Sequence, residues 1–130
     1  MNILFVCKYN RFRSKVAEGF FNNYNKNKNN VAKSAGVIRG LPINPIVFEV
    51  AKQKGISIVG NPQGFYEELF SWADIIVVTA DNVPPEIFKS RAKKLIVWKI
   101  KDAKVLEIKE ISNITNKISD KVKKFVEEIK

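Results

Sequence analysis

One stretch of this sequence carries residue types able to do chemistry at a spacing that makes sense of them: Val6-Cys7-Lys8-Tyr9-Asn10-Arg11-Phe12-Arg13-Ser14. A cysteine is followed by five residues, then by an arginine and a serine. Cys7 is the single cysteine of a chain that has no histidine. The usual zinc ligand sets and any Ser-His or Cys-His dyad are therefore excluded, and neither a metal nor another cofactor is expected. What remains is a thiolate nucleophile acting without imidazole. The stretch follows a short apolar run at residues 2–6 that reads as a buried strand. It precedes Val16, Ala17, Phe20, Phe21 and Tyr24, which recur at helical spacing from Arg13 onward. A loop that joins a strand to a helix in this way gathers its backbone N–H groups at the helix N-terminus, a cradle for a tetrahedral oxyanion.

Each side chain of the stretch then has an expected place. Arg13, at the helix start, can close the cradle with two parallel hydrogen bonds to phosphate oxygens, a geometry that lysine does not reproduce. Cys7 lies beneath, aimed at phosphorus, and the donors that hold an oxyanion also favour the thiolate over the thiol. The Ser14 hydroxyl is placed to donate to the sulfur, and Asn10 suits the left-handed backbone that a nest of N–H groups requires. Lys8, Tyr9, Asn10, Arg11, Phe12, Arg13 and Ser14 form the expected substrate-binding set.

The surrounding elements must hold that loop. After an Asn/Lys-rich loop at residues 25–30, residues 31–34 read as a second strand, and an irregular segment follows with Gly40, Pro42 and Pro45. A helix is expected over 45–54, closed by Gly55, and a short one within 63–72. Residues 73–79 and 94–98 have the nearly all-apolar character of central parallel strands, separated by a turn at 81–85 and a short helical piece through Phe88. Ile114, Ile118, Val122, Phe125 and Ile129 mark a helix over 111–129. Alternating strands and helices imply one domain over residues 1–130: a three-layer α/β sandwich with a four-stranded parallel sheet, helices on both faces and the functional crevice at the strands' carboxyl ends. The net charge of +10 comes from lysines scattered along the chain and interrupted by acids such as Glu127 and Glu128. That pattern suits a solvated surface that attracts anions better than a specific nucleic-acid site. Apolar runs such as 75–78 are too short to span a bilayer or act as a signal segment, so a cytoplasmic protein without membrane contact is expected.

The run from Cys7 to Ser14, the Ala17-Glu18 pair, Ser34-Ala35-Gly36, and the Ala73-Asp74 strand entering Ala80-Asp81-Asn82 together resemble the low-molecular-weight protein tyrosine phosphatase family, a superfamily shared with thioredoxin-coupled arsenate reductases. The resemblance spans nearly the whole chain and implies the strand order 2-1-3-4. It also implies that Cys7 is the nucleophile, Arg13 the phosphate clamp, Asn10 and Ser14 loop organisers, and Ser34 a partner of Asn10. The family's catalytic aspartate, usually followed by proline, sits on a loop after the last strand. Asp102-Ala103 occupies that place, so Asp102 is the expected acid and then base, with Asp81 as the fallback.

The chain also departs from the family pattern. Lys104-Val105 and Gly40-Leu41 stand where phosphatases place aromatic walls, leaving Tyr9, Phe65 or Tyr66 to supply one. Phe12 replaces a cysteine that many members carry beside the arginine, which leaves Cys7 without an intraloop disulfide against oxidation. Arg11 adds a second loop cation, and Lys15 stands where proline is common. The function implied is hydrolysis of a phosphorylated protein or small phosphate ester through a cysteinyl phosphate, with inorganic phosphate or sulfate able to occupy the loop. The rival readings are an arsenate reductase using an external thiol and a non-catalytic phosphate-binding or interaction module.

Overall fold

A computed structural model describes residues 1–129. Four strands form a single parallel sheet: β1 (Asn2–Cys7), β2 (Val31–Gly36), β3 (Ile75–Val78) and β4 (Leu95–Val97), in the order β2-β1-β3-β4. Five helices accompany them: α1 (Arg13–Tyr24), α2 (Pro45–Gln53), α3 (Glu67–Trp72), α4 (Glu86–Lys89) and α5 (Ile108–Glu128). The expected sandwich and strand order are both present.

Alternation along the strands sorts the core into two layers. On one face, Ile3, Phe5, Ile75 and Val77 pack against Phe20 and Phe21 of α1, Val47 and Val50 of α2, and Ile114, Ile118, Val122 and Phe125 of α5. On the other, Leu4, Val6, Ile76 and Val78 meet Leu69 and Phe70 of α3 and Phe88 of α4. The spacing of apolar residues in α1 and α5 is thus a record of which stripe lies on the sheet.

Element boundaries shift from the sequence expectations for local reasons. β2 runs two residues further, to Gly36, because β1 itself extends to Cys7 and the two pair Cα to Cα through Cys7 and Gly36. The short helix begins only at Glu67, since residues 63–65 are drawn into backbone pairing with Gly36: Gly36 N–H donates to the Gln63 carbonyl at 2.8 Å, and Phe65 N–H to the Gly36 carbonyl at 3.0 Å. β3 and β4 are shorter than their apolar runs, and α5 starts three residues earlier than its apolar stripe. Among the described residues, no helix is long and apolar enough to cross a membrane.

Candidate active site

Cys7 closes β1 and Arg13 opens α1, so the loop between them sits at the carboxyl edge of the sheet, where parallel α/β folds bind their ligands. Its carbonyls are turned outward. Val37, Ile38 and Gly40 donate their amides to the carbonyls of Cys7, Lys8 and Tyr9 at 3.0 Å each, while the Phe12 carbonyl takes the amide of Val16. Among the described residues, none accepts from the amides of residues 8–12. Asn10 adopts φ 56°, the left-handed conformation that turns successive N–H groups to one side. The N-cap residue of α1, Phe12, makes no side-chain cap and the first turn has no acidic residue, so the positive end of the helix dipole also faces this point.

The sulfur is held from behind by a relay. The Gln63 amide donates to Asn10 Oδ1 at 3.0 Å, and Asn10 Nδ2 donates to Ser14 Oγ at 2.7 Å. Ser14 Oγ lies 2.9 Å from Cys7 Sγ. Ser14 Oγ accepts from Asn10 and keeps its own hydrogen, which it can donate to the sulfur. Asn10 and Ser14 are fully buried, so they lie beneath the cradle and do not line the substrate pocket.

Arg13 is 2 % exposed and oriented from several sides. Its Nη1 donates to the Ile100 carbonyl at 2.9 Å and its Nη2 to Asn82 Oδ1 at 3.0 Å, while Asp81 and Asp102 carboxylate oxygens stand 3.7 and 3.5 Å away. The same Ile100 carbonyl accepts the Asp81 amide. The turns after β3 and β4 are thus tied together at the guanidinium.

A pocket of about 260 Å³ opens over this arrangement, lined by Cys7, Tyr9, Arg11, Phe12, Arg13 and Asp102 from the expected set. Sequence reasoning missed Asn44, Val47, Leu106 and Ile111 as further lining residues. Their presence depends on where α2, α5 and the loop before α5 meet the sheet edge, which no local pattern encodes. Lys8 does not line the pocket; its ammonium sits 5.2 Å from the centre of the Tyr9 ring. Asp81 does not line it either, which separates it from Asp102. Of the three aromatic residues considered for a wall, only Tyr9 lines the pocket. Phe65 packs edge-on against Phe70 and Phe88 in the second core layer.

Asp102 is half exposed at the mouth, and its Oδ1 accepts the amide of Ala103 at 2.9 Å, a donor that a proline there would lack. The loop behind it is anchored by Glu110, whose two carboxylate oxygens accept the amides of Lys104 and Val105. Those backbone donors hold the Glu110 pKa below the ordinary carboxylate value.

Ser34 departs from expectation. Its hydroxyl donates to Glu18 Oε1 at 2.6 Å and not to Asn10, whose amide group is already satisfied by Ser14 and Gln63. Gln63 is the residue that connects the two, because its Nε2 donates to the Ser34 carbonyl at 2.9 Å. Glu18 is largely buried, and loss of water pushes its pKa up, with the Ser34 hydrogen bond and the Lys15 charge opposing. Lys15 is itself buried and donates to the Val59 carbonyl at 2.8 Å. Burial pushes its pKa down, while Glu18 and the Cys7 sulfur pull the other way.

Comparison with known proteins fits this geometry. A sequence search of curated proteins returns no match. Among solved structures, the low-molecular-weight protein tyrosine phosphatase of T. tengcongensis is 27 % identical, with TM-score 0.87 over 98 % of this chain and 99 % of that one. An arsenate reductase of Archaeoglobus fulgidus is 25 % identical, with TM-score 0.75 over 95 % of this chain and 98 % of that one. The YwlE arginine phosphatase of Geobacillus stearothermophilus shares the fold at 21 % identity, with TM-score 0.86 over 98 % and 92 % of the two chains. The family model described as low molecular weight phosphotyrosine protein phosphatase matches residues 2–130. The chain therefore belongs to the low molecular weight phosphotyrosine protein phosphatase family.

Proposed function

We propose that the pocket hydrolyses phosphate monoesters in two steps through a phosphorylated Cys7. In the first, the Cys7 thiolate attacks phosphorus, the bond from phosphorus to the ester oxygen breaks, and Asp102 protonates the departing oxygen. In the second, water attacks the cysteinyl phosphate, Asp102 takes a proton from it, and the bond from sulfur to phosphorus breaks to release inorganic phosphate. Arg13 and the loop amides carry the charge that builds on the equatorial oxygens in both steps. Ser14 and Asn10 act as positioning residues through the sulfur, and Ser34 supports the loop through Gln63 and Glu18.

The observation that supports this reading best is the convergence on one pocket of a sulfur, a buried guanidinium, unpaired amides and one carboxylate at the mouth. Phosphorylated proteins and small phosphate esters are the substrates proposed, in a cytoplasmic setting. The arsenate-reductase alternative has weaker support, because Cys7 is the only cysteine and a thiol relay would have to come from another molecule.

The test is release of 4-nitrophenol from 4-nitrophenyl phosphate. Turnover by the parent protein and its loss in Cys7→Ser are expected. Absence of turnover together with thiol-dependent reduction of arsenate to arsenite would overturn the reading in favour of the reductase. Phosphate binding with neither activity would instead favour a non-catalytic module.

A further inference from the structure

The two arginines of the loop are held in opposite ways. Arg13 is buried on the floor of the pocket, with two carboxylates within 4 Å. Arg11 also lines the pocket but reaches out to the rim, where its Nε and Nη2 donate to the Pro42 carbonyl at 3.3 and 3.0 Å in solvent-exposed bonds. Among the described residues, no carboxylate pairs with it, so it is the uncompensated charge of the pocket wall. Its aliphatic stem lies directly on Gly40: a Cβ at that position would fall 2.6 Å from Arg11 Cγ and Cδ. A glycine below and a carbonyl at its tip therefore fix the guanidinium, while Nη1 makes no hydrogen bond among the described residues. Leu106, Ala103 and Val47 supply apolar lining to the same pocket.

We infer that Arg11 selects phosphate esters whose leaving group is an apolar or aromatic body carrying a second anionic group, such as a carboxylate, and disfavours cationic leaving groups such as the guanidinium of phosphoarginine. The inference rests on the phosphatase reading, and what Arg11 exerts is a charge preference in binding. The phosphoryl group goes to the floor against Cys7 and Arg13, the apolar body lies along Leu106 and the Tyr9 ring, and the second anion meets the free edge of Arg11. An exposed charge pair of this kind is modest and salt-sensitive.

The experiment is calorimetric binding of benzylphosphonate, its meta- and para-carboxylated forms and its para-aminomethyl form, none of which can be hydrolysed. At least one carboxylated form is expected to bind the parent protein about fivefold more tightly than benzylphosphonate, with the aminomethyl form weakest. That spread should collapse in Arg11→Gln, survive in part in Arg11→Lys, and shrink as salt is raised. Equal affinities for all four ligands, no binding of any of them, or the same proportional loss for all four and for inorganic phosphate in Arg11→Gln would overturn the inference; the last result would place Arg11 on the phosphoryl group itself. Failure to hydrolyse 4-nitrophenyl phosphate strikes the proposed function and leaves this comparison standing.

Discussion

The hydroxyl oxygen of Ser14 lies 2.9 Å from the sulfur of Cys7, with Asn10 donating into that same oxygen from the far side. Ser14 keeps one hydrogen that it can give to the sulfur. In Ser14→Ala the thiolate loses a charge-assisted hydrogen bond, worth roughly a ten- to hundredfold factor. Turnover of an aryl phosphate should fall by about that much, and alkylation of Cys7 by iodoacetamide at neutral pH should slow in parallel. Unchanged alkylation would mean that the loop amides and helix dipole hold the thiolate unaided.

Asp102 faces the pocket but reaches Arg13 only at 3.5 Å, so its carboxylate is not what holds the guanidinium in place; Asn82 and the Ile100 carbonyl do that. Asp102→Asn is expected to lower kcat by roughly 10²-fold or more, the usual scale of a lost proton-transfer group. Inhibition by inorganic phosphate should stay as strong or grow stronger, because a negative charge leaves the mouth. Equal loss in kcat and in phosphate affinity would count against a proton-transfer role.

Gly36, at the end of β2, packs directly against the phosphate loop. A Cβ there would lie 2.6 Å from the Ile38 carbonyl oxygen, 2.7 Å from the Tyr9 carbonyl carbon and 2.8 Å from the Asn10 amide nitrogen. All three neighbours are backbone, so relief requires the loop itself to move. Gly36→Ala should cost about 1–3 kcal/mol of stability in denaturant unfolding and weaken phosphate binding in whatever fraction remains folded. A variant with parental stability and phosphate affinity would show that the loop yields without cost.

Glu18 supplies a pH test. Burial raises its pKa in the folded chain, so the folded protein binds that proton more tightly than the unfolded one. The stability this contributes is full below the ordinary carboxylate value of 4.5 and is lost as pH rises through the raised value. Glutamine keeps an acceptor for the Ser34 hydroxyl without the charge. The stability of Glu18→Gln relative to the parent should therefore be more favourable at pH 7 than at pH 4 when both are unfolded in urea. The opposite trend would mean that the buried carboxylate is held ionised by Lys15 and Ser34.

Much of this protein is determined locally and can be read from the chain. The parallel sheet follows from alternating apolar strands and helices whose stripes must be covered, its strand order from the resemblance to the family, and the cradle from a strand, a short loop with Asn10, and a helix that starts at Arg13. Those features depend on backbone preference and periodicity over a few residues, which is the information a linear sequence carries. Tertiary structure alone decided the rest. That Arg13 is oriented by Asn82 and the Ile100 carbonyl, that Gln63 takes the partnership with Asn10 expected of Ser34, and that Phe65 joins the core while Leu106 lines the pocket all depend on segments tens of residues apart arriving at one sheet edge. A side chain chooses between hydrogen-bond partners, or between core and pocket, only when the packing of those segments has fixed which donors and surfaces are within reach.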